Sequence, residues 1–287
     1  MKRYNDAKKV GIMGIIGNFF LFVIKFAIGF FSKSQSMIAD SLNSLSDIFA
    51  SFMTWLGNRI SSVPVDSDHD YGHGKAEYIF SMLISISMMI ISLKLLYDSI
   101  NSIIFNNQLV FSFKLIIVCL ITIIVKILLY LYTRSLYNKQ HNLLVKANMI
   151  DHRNDIFITL FTALAIILAR YGFYFVDGIV GIGISLWIMF SAIKIFKESY
   201  DILMDCSLDN ESKMQVLKII KSYDEVKIIG DLYSIPIGYN YIVVVTIFVD
   251  RNMHTDKSHD VTMKIEKEII EHVERIEKVI VHVEPFF

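Results

Sequence analysis

Six mostly apolar stretches, each about as long as the roughly 20 residues a helix needs to cross a bilayer, fill the first two thirds of this chain. They are 10–31, 37–60, 78–100, 111–132, 143–170 and 171–196. Hydrocarbon offers no water to the backbone, so runs of this length must close their hydrogen bonds internally, as helices. The pattern predicts an α-helical membrane protein with a six-transmembrane-helix bundle over residues 1–202. Composition agrees, with 54% hydrophobic residues and a mean hydropathy of +0.50, well above a soluble domain.

Basic residues set the orientation. Lys2, Arg3, Lys8 and Lys9 precede the first stretch, Arg59 and Lys75 flank the loop after the second, and Arg134, Lys139 and Lys146 follow the fourth. The other side holds little more than Lys33, Lys114 and Arg170. The positive-inside rule then puts both termini in the cytoplasm of a multi-pass protein of the cell (inner or plasma) membrane, a bacterial inner membrane being the natural fit. The first run is too long for a signal h-region, so the basic start reads as a cytoplasmic leader. Formal net charge is zero, and nothing points to nucleic acid as a partner. The two cysteines, Cys119 and Cys206, form no CxxC pair, which removes a thiolate metal site and a disulfide framework.

From about residue 203 the composition changes. An amphipathic helix over 211–222, strands over 226–234 and 241–249, a helix over 255–273 and a final strand over 279–283 give the order αββαβ. That order implies a small sheet with helices on one face, a cytoplasmic α+β domain over residues 203–287. A domain of this size is marginal alone, and a partner subunit would help stabilise it.

The second and fifth stretches are the least apolar, and they carry the chemistry. Asn43 and Asp47 stand four apart in one, Asp151 and Asp155 four apart in the other. Residues at i and i+4 share a helix face, roughly 6 Å apart along the axis. A carboxylate is costly in hydrocarbon and marks a functional site by default. Two such faces turned toward each other make an all-oxygen cluster, suited to a hard or borderline divalent cation. The competing reading is hydrogen-bonded glue between helices. Asp40 and Asn148 extend the two faces and read as supporting groups. His152, beside Asp151, is assigned to a different helix face and His141 to a loop, and for both a structural or incidental role is favoured over ligation. Lys94 and Asp98 form an i,i+4 pair; Lys25 and Lys126 are read as architectural, snorkelling or pairing with a buried acid.

Two further clusters stand outside the apolar stretches. The loop from Asp66 to Lys75 holds three carboxylates and two imidazoles, with Asp66, His69 and His73 as candidate ligands; a solvated polar loop in which Asp68 or Asp70 caps the next helix is the alternative. In the tail, His282 and Glu284 alternate on the last strand and so share a face. Together with His259 on the helix they offer a second set, against the alternative of an exposed polar edge.

Residues 39–47 in the second stretch, Gly72-His73-Gly74-Lys75-Ala76-Glu77 opening the third, and Asp151 with Asp155 in the fifth resemble the cation diffusion facilitator family, manganese-exporting branch. The likeness covers nearly the whole chain, the six-span plus αββαβ layout included. It implies a homodimeric efflux transporter, with each protomer exchanging a divalent metal for protons, and a ferredoxin-like cytoplasmic domain that helps dimerise and binds regulatory metal. Carried over, Asn43, Asp47, Asp151 and Asp155 hold the transported ion, Asp66, His69 and His73 form the loop site, and His259, His282 and Glu284 form part of a tail site. Gly230 stands where zinc-transporting relatives often have another histidine. Lys75 and Asp205 match a charge link between the membrane and tail domains of relatives.

Zinc members usually place a histidine in the quartet, commonly at the position of Asp151. The oxygen-only set here favours Mn²⁺, with Fe²⁺ second and Zn²⁺ third. The expectation is an Mn²⁺/H⁺ antiporter working by alternating access, with no cofactor beyond transported and regulatory metal. A ligand must be deprotonated to bind metal, so arriving metal displaces protons; Asn43 cannot titrate, which limits the protons exchanged to three groups. A non-transporting metal sensor is a rival, marked by a dispensable quartet. No nucleophile motif accompanies the aspartates, so the chain is not read as an enzyme.

Overall fold

The computed structural model describes residues 2–31, 35–104, 113–169 and 175–287, and for some helix residues, Asp40 and Asn43 among them, the backbone alone. Lys33 and Arg170, used above for orientation, lie outside the described residues, as does the junction of the fifth and sixth stretches. Two compact units form: Met1–Val63 with Ala76–Tyr200, and Pro64–Lys75 with Asp201–Phe287. The loop before the third helix therefore clusters with the C-terminal residues, where sequence order alone groups it with the helices.

The first unit is built from α1 (Lys2–Phe31), α2 (Gln35–Ser61), α3 (Ala76–Ile104), α4 (Phe113–Gln140), α5 (Leu143–Ala169) and α6 (Phe175–Leu203). Most overrun the apolar stretches, because nothing in their polar ends breaks a helix. α2 stops at Ser61, short of Pro64, whose ring disfavours helix in the residue before it. α4 continues to Gln140 and ends where His141 adopts φ 49°. Among the described residues, three segments are long and apolar enough to cross a membrane: Ala7–Ile28, Ala76–Ile104 and Phe113–Lys139. Large apolar side chains such as Phe19, Ile90, Leu128 and Phe190 stay exposed on the outer faces, the side a bilayer would cover.

Small residues let the helices close up. A Cβ at Gly11 would come 2.7 Å from Trp55 Cβ, and one at Gly57 would come 2.6 Å from Phe80 Cβ, so α1–α2 and α2–α3 meet at backbone distance. A buried polar chain ties three helices: Asn18 Nδ2 donates to Ser51 Oγ at 3.4 Å, Ser51 to Asn148 Oδ1 at 3.4 Å, and Asn148 Nδ2 to Thr54 Oγ1. Asn148 thus serves packing. α5 starts under buried Glu77, whose Oε1 accepts the Leu143 N–H at 2.7 Å, while Asn142 Oδ1 accepts that of Val145 at 3.1 Å. Both satisfy donors that a helix start leaves open, and the carboxylate also suits the positive end of the helix dipole. Lys146 on α5 pairs with Glu198 on α6 at 2.5 Å.

In the second unit α7 (Asn210–Lys221), β1 (Val226–Pro236), β2 (Tyr241–Asp250), α8 (Thr255–His272) and β3 (Ile276–Phe286) follow the expected αββαβ order. The sheet order is β1-β2-β3. β1 and β2 are antiparallel across a short turn; β2 and β3 are parallel, because α8 carries the chain back across the sheet. Val243, Val245 and Ile247 of β2 lie under Val216, Ile220, Ile265 and Ile269 of the helices, all fully buried. The register of β1 shifts between Ile229 and Leu232, where Gly230 stands.

Asp209 caps α7. Its side chain accepts the N–H and the hydroxyl of Ser212, both at 2.9 Å, and that backbone bond foremost holds its carboxyl below the ordinary value. Asp209→Ala should cost about 1 kcal/mol. The expected sign is faster hydrogen exchange at the first turns of α7 in the full protein, with α8 unchanged; equal protection of α7 in both proteins would refute the cap.

Candidate metal-transport site

Polar residues of α2, α4 and α5 meet at one buried point. Asp47 comes from α2, Lys126 from α4, and Asp151 and Asp155 from successive turns of α5. Lys126 Nζ donates to Asp47 Oδ2 at 2.7 Å and to Asp155 Oδ2 at 2.5 Å, and its side chain is only 2% exposed. Asp151 is buried too, and its Oδ2 has no hydrogen-bond partner among the described residues. All four line a cavity of about 70 Å³ with Lys25 and Thr122, room for several waters or a partly hydrated ion. Buried carboxylates are tolerated when paired with a cation; here the protein supplies one.

Three of the four expected ligands are therefore brought together. The side chain of Asn43 lies outside the described residues, although its backbone is in α2, one turn before Asp47. Two residues set aside on sequence grounds join the cluster. Lys126 bridges two of the aspartates, so the pairing alternative is the one the structure adopts. His152 is fully buried, neither ring nitrogen has a hydrogen-bond partner among the described residues, and its ligand atom lies within 4.8 Å of those of Asp151 and Asp155. That corrects the reading of His152 as sitting on an unrelated face. Its place three residues before Asp155, an i,i+3 spacing that shares a helix side, was the available signal. For Lys126 the signal was a charge in an apolar stretch with no acid on its own helix to pair with.

The loop cluster also assembles, within the second unit. His69 Nδ1 lies 3.1 Å from Asp66 Oδ1, His73 Nε2 3.6 Å from Asp66 Oδ2, and the two rings stand 4.2 Å apart. The three ligand atoms fall within 4.8 Å of one another, a spacing a tetrahedral or octahedral ion could bridge. Gly74 backs this loop onto the β1–β2 turn, where a Cβ would come 2.9 Å from Ile237 O. Lys75 Nζ pairs with Asp205 Oδ1 at 2.7 Å.

For Asp66, burial acts to raise the carboxyl value, but bonds from the Asp68 N–H, the His69 ring and the His69 N–H outweigh it and hold the group below its ordinary range. A lowered folded value means the ordering it provides is full at neutral pH and lost as pH falls below that range. Amide protection at Asp68 and His69, whose N–H groups reach Asp66 Oδ1 at 3.0 and 2.8 Å, should hold at pH 6 and drop below about pH 4. Protection constant down to pH 2 would contradict it.

The tail set assembles only in part. His282 Nε2 lies 2.8 Å from Glu284 Oε1, as their shared strand face requires. Among the described residues, His259 joins no group of three ligand atoms with them. The cause is topological: Val279, at the alternate positions of β3, is buried toward the helices, so His282 and Glu284 face away from α8.

The cation efflux transmembrane domain matches residues 11–204, and the cation efflux protein cytoplasmic domain matches residues 208–286. The chain belongs to the cation efflux family. It is 30% identical to the manganese efflux system protein MneS of Bacillus subtilis, over 99% of this chain and 99% of that protein. It is 27% identical to manganese efflux system protein MneP of the same organism, over 100% and 98%. It is also 27% identical to the cation-efflux pump FieF of Citrobacter koseri, over 92% and 88%. Members of the cation efflux family, the cation diffusion facilitators, are transporters, and this chain is a divalent cation efflux transporter with a helical membrane domain and a C-terminal domain built on a small sheet.

Proposed function

We propose that the protein exports Mn²⁺ from the cytoplasm in exchange for protons, through a site made by Asp47, Asp151 and Asp155 with Asn43 completing the set. The observation that carries this reading is the convergence of three carboxylates from two helices on one buried cation position. Hard oxygen donors suit Mn²⁺, and two full-length relatives are named manganese efflux proteins. The remaining parts follow from the same reading: six spanning helices, both termini cytoplasmic, residues 1–202 as the membrane domain and 203–287 as the cytoplasmic one, and a homodimer joined in part through the tail. Asp66, His69 and His73 form a second metal site, and His282 with Glu284 a weaker third.

In the cycle, metal reaches the aspartates from the cytoplasmic side and displaces their protons, since ligands must be deprotonated. The helices rock to expose the site outward, and returning protons expel the ion. A pH gradient then drives transport. In proteoliposomes with an acid interior, Mn²⁺ uptake should collapse when an ionophore dissipates the gradient; uptake indifferent to it would contradict antiport. His152 favours a second reading. A buried imidazole beside Asp151 brings nitrogen within reach of the ion and widens the acceptable metals toward Fe²⁺ and Zn²⁺.

A further inference from the structure

We propose that Lys126 is a tethered counter-cation of the transport site: its ammonium bridges Asp47 and Asp155 between loads, and a divalent cation binds by displacing it. The proposal rests on the reading of Asp47, Asp151 and Asp155 as that site. Nζ lies 2.7 Å from Asp47 Oδ2 and 2.5 Å from Asp155 Oδ2. An ion held by the same two oxygens at 2.0–2.6 Å would stand where the ammonium stands. Two positive charges so close repel strongly in a site largely shielded from water, so metal and ammonium exclude each other.

The surroundings allow the exchange. Asp151 Oδ2 has no hydrogen-bond partner among the described residues, which leaves one carboxylate oxygen free to meet the incoming ion before Lys126 moves. Thr122, one turn earlier on α4, lines the same cavity, and its buried hydroxyl also lacks a partner among the described residues. It is an acceptor within the sweep of a flexible four-carbon side chain. A competitor attached to the site cannot diffuse away, so it acts at high effective concentration. It therefore lowers metal affinity and speeds release, which an exporter needs at every turnover. A purely architectural ion pair joining α2, α4 and α5 would do the opposite, because its loss would loosen the helices that position the ligands.

Lys126→Gln separates the two. With the charge gone, Mn²⁺ should bind the purified, dimeric protein at least about tenfold more tightly, a modest share of the repulsion between charges a few ångströms apart. In proteoliposomes KM should fall with it, and the maximal uptake rate should fall as well. Unchanged or weaker Mn²⁺ binding by the folded variant overturns the proposal. Asp47→Ala runs beside it: if that variant loses Mn²⁺ binding while Lys126→Gln leaves it unchanged, only the role of Lys126 fails. If Asp47→Ala binds Mn²⁺ like wild type, the site itself is misplaced. Should Lys126→Gln not fold, the Mn²⁺-loaded wild-type structure decides. Nζ moved off Asp47 Oδ2 supports the exchange, and Nζ still bridging both carboxylates beside the ion overturns it.

Discussion

Asp47→Ala should reduce Mn²⁺ uptake into proteoliposomes more than about 100-fold. Groups that only orient metal ligands typically cost 10–100-fold when removed, and Asp47 is proposed as a ligand itself. It is also one of the two carboxylates that hold Lys126, so the variant leaves the ammonium on Asp155 alone and concentrates a repulsive charge where the ion must bind. The protein should still fold, because Lys126 keeps its 2.5 Å contact with Asp155 and the Asn18–Ser51–Asn148–Thr54 chain still ties α1, α2 and α5. Near-normal uptake by this variant would remove the carboxylate cluster from the transport path.

Asp151→His should change which metal is carried. The substitution replaces an oxygen donor with an imidazole at a position whose free oxygen has no competing partner to lose. It stands next to His152, so two nitrogens would then flank the site. Nitrogen donors favour Zn²⁺ over Mn²⁺, and the ratio of Zn²⁺ to Mn²⁺ uptake should rise by about tenfold or more, on the order of 1.4 kcal/mol of preference. An unchanged ratio in folded protein would show that ligand softness is not the filter. Adding His152→Ala to the wild-type site is the informative control. If it alone lowers Zn²⁺ uptake while Mn²⁺ uptake persists, the imidazole already admits the softer metals.

What could be read from residue order was whatever depends on one element at a time. The αββαβ tail was legible because each strand and helix there carries its own apolar pattern, and β2, marked by the β-branched run from Ile242 to Ile247, is a clear case. The pairs Asn43/Asp47 and Asp151/Asp155 were visible because four-residue spacing fixes a helix face. For Lys126 the pairing with a buried acid was one open alternative, but its partners were not named, because they depend on α4 bringing that side chain to residues of α2 and α5, which no spacing within α4 encodes. His152 was placed on another face for a related reason: adjacency to Asp151 turns it away on an ideal helix, whereas its spacing to Asp155 turns it back. His259 shows the converse. Grouping it with His282 and Glu284 needs the two sides of the sheet to meet, and the pleat puts them on opposite faces.

The most direct test is anomalous diffraction at the manganese edge from crystals of the protein grown with Mn²⁺. The expected result is a peak inside the helical unit, coordinated by oxygens of Asp47, Asp151 and Asp155, with Lys126 Nζ displaced from between them. Manganese peaks confined to Asp66, His69 and His73 or to the tail, with Lys126 still bridging its two aspartates at saturating Mn²⁺, would contradict it.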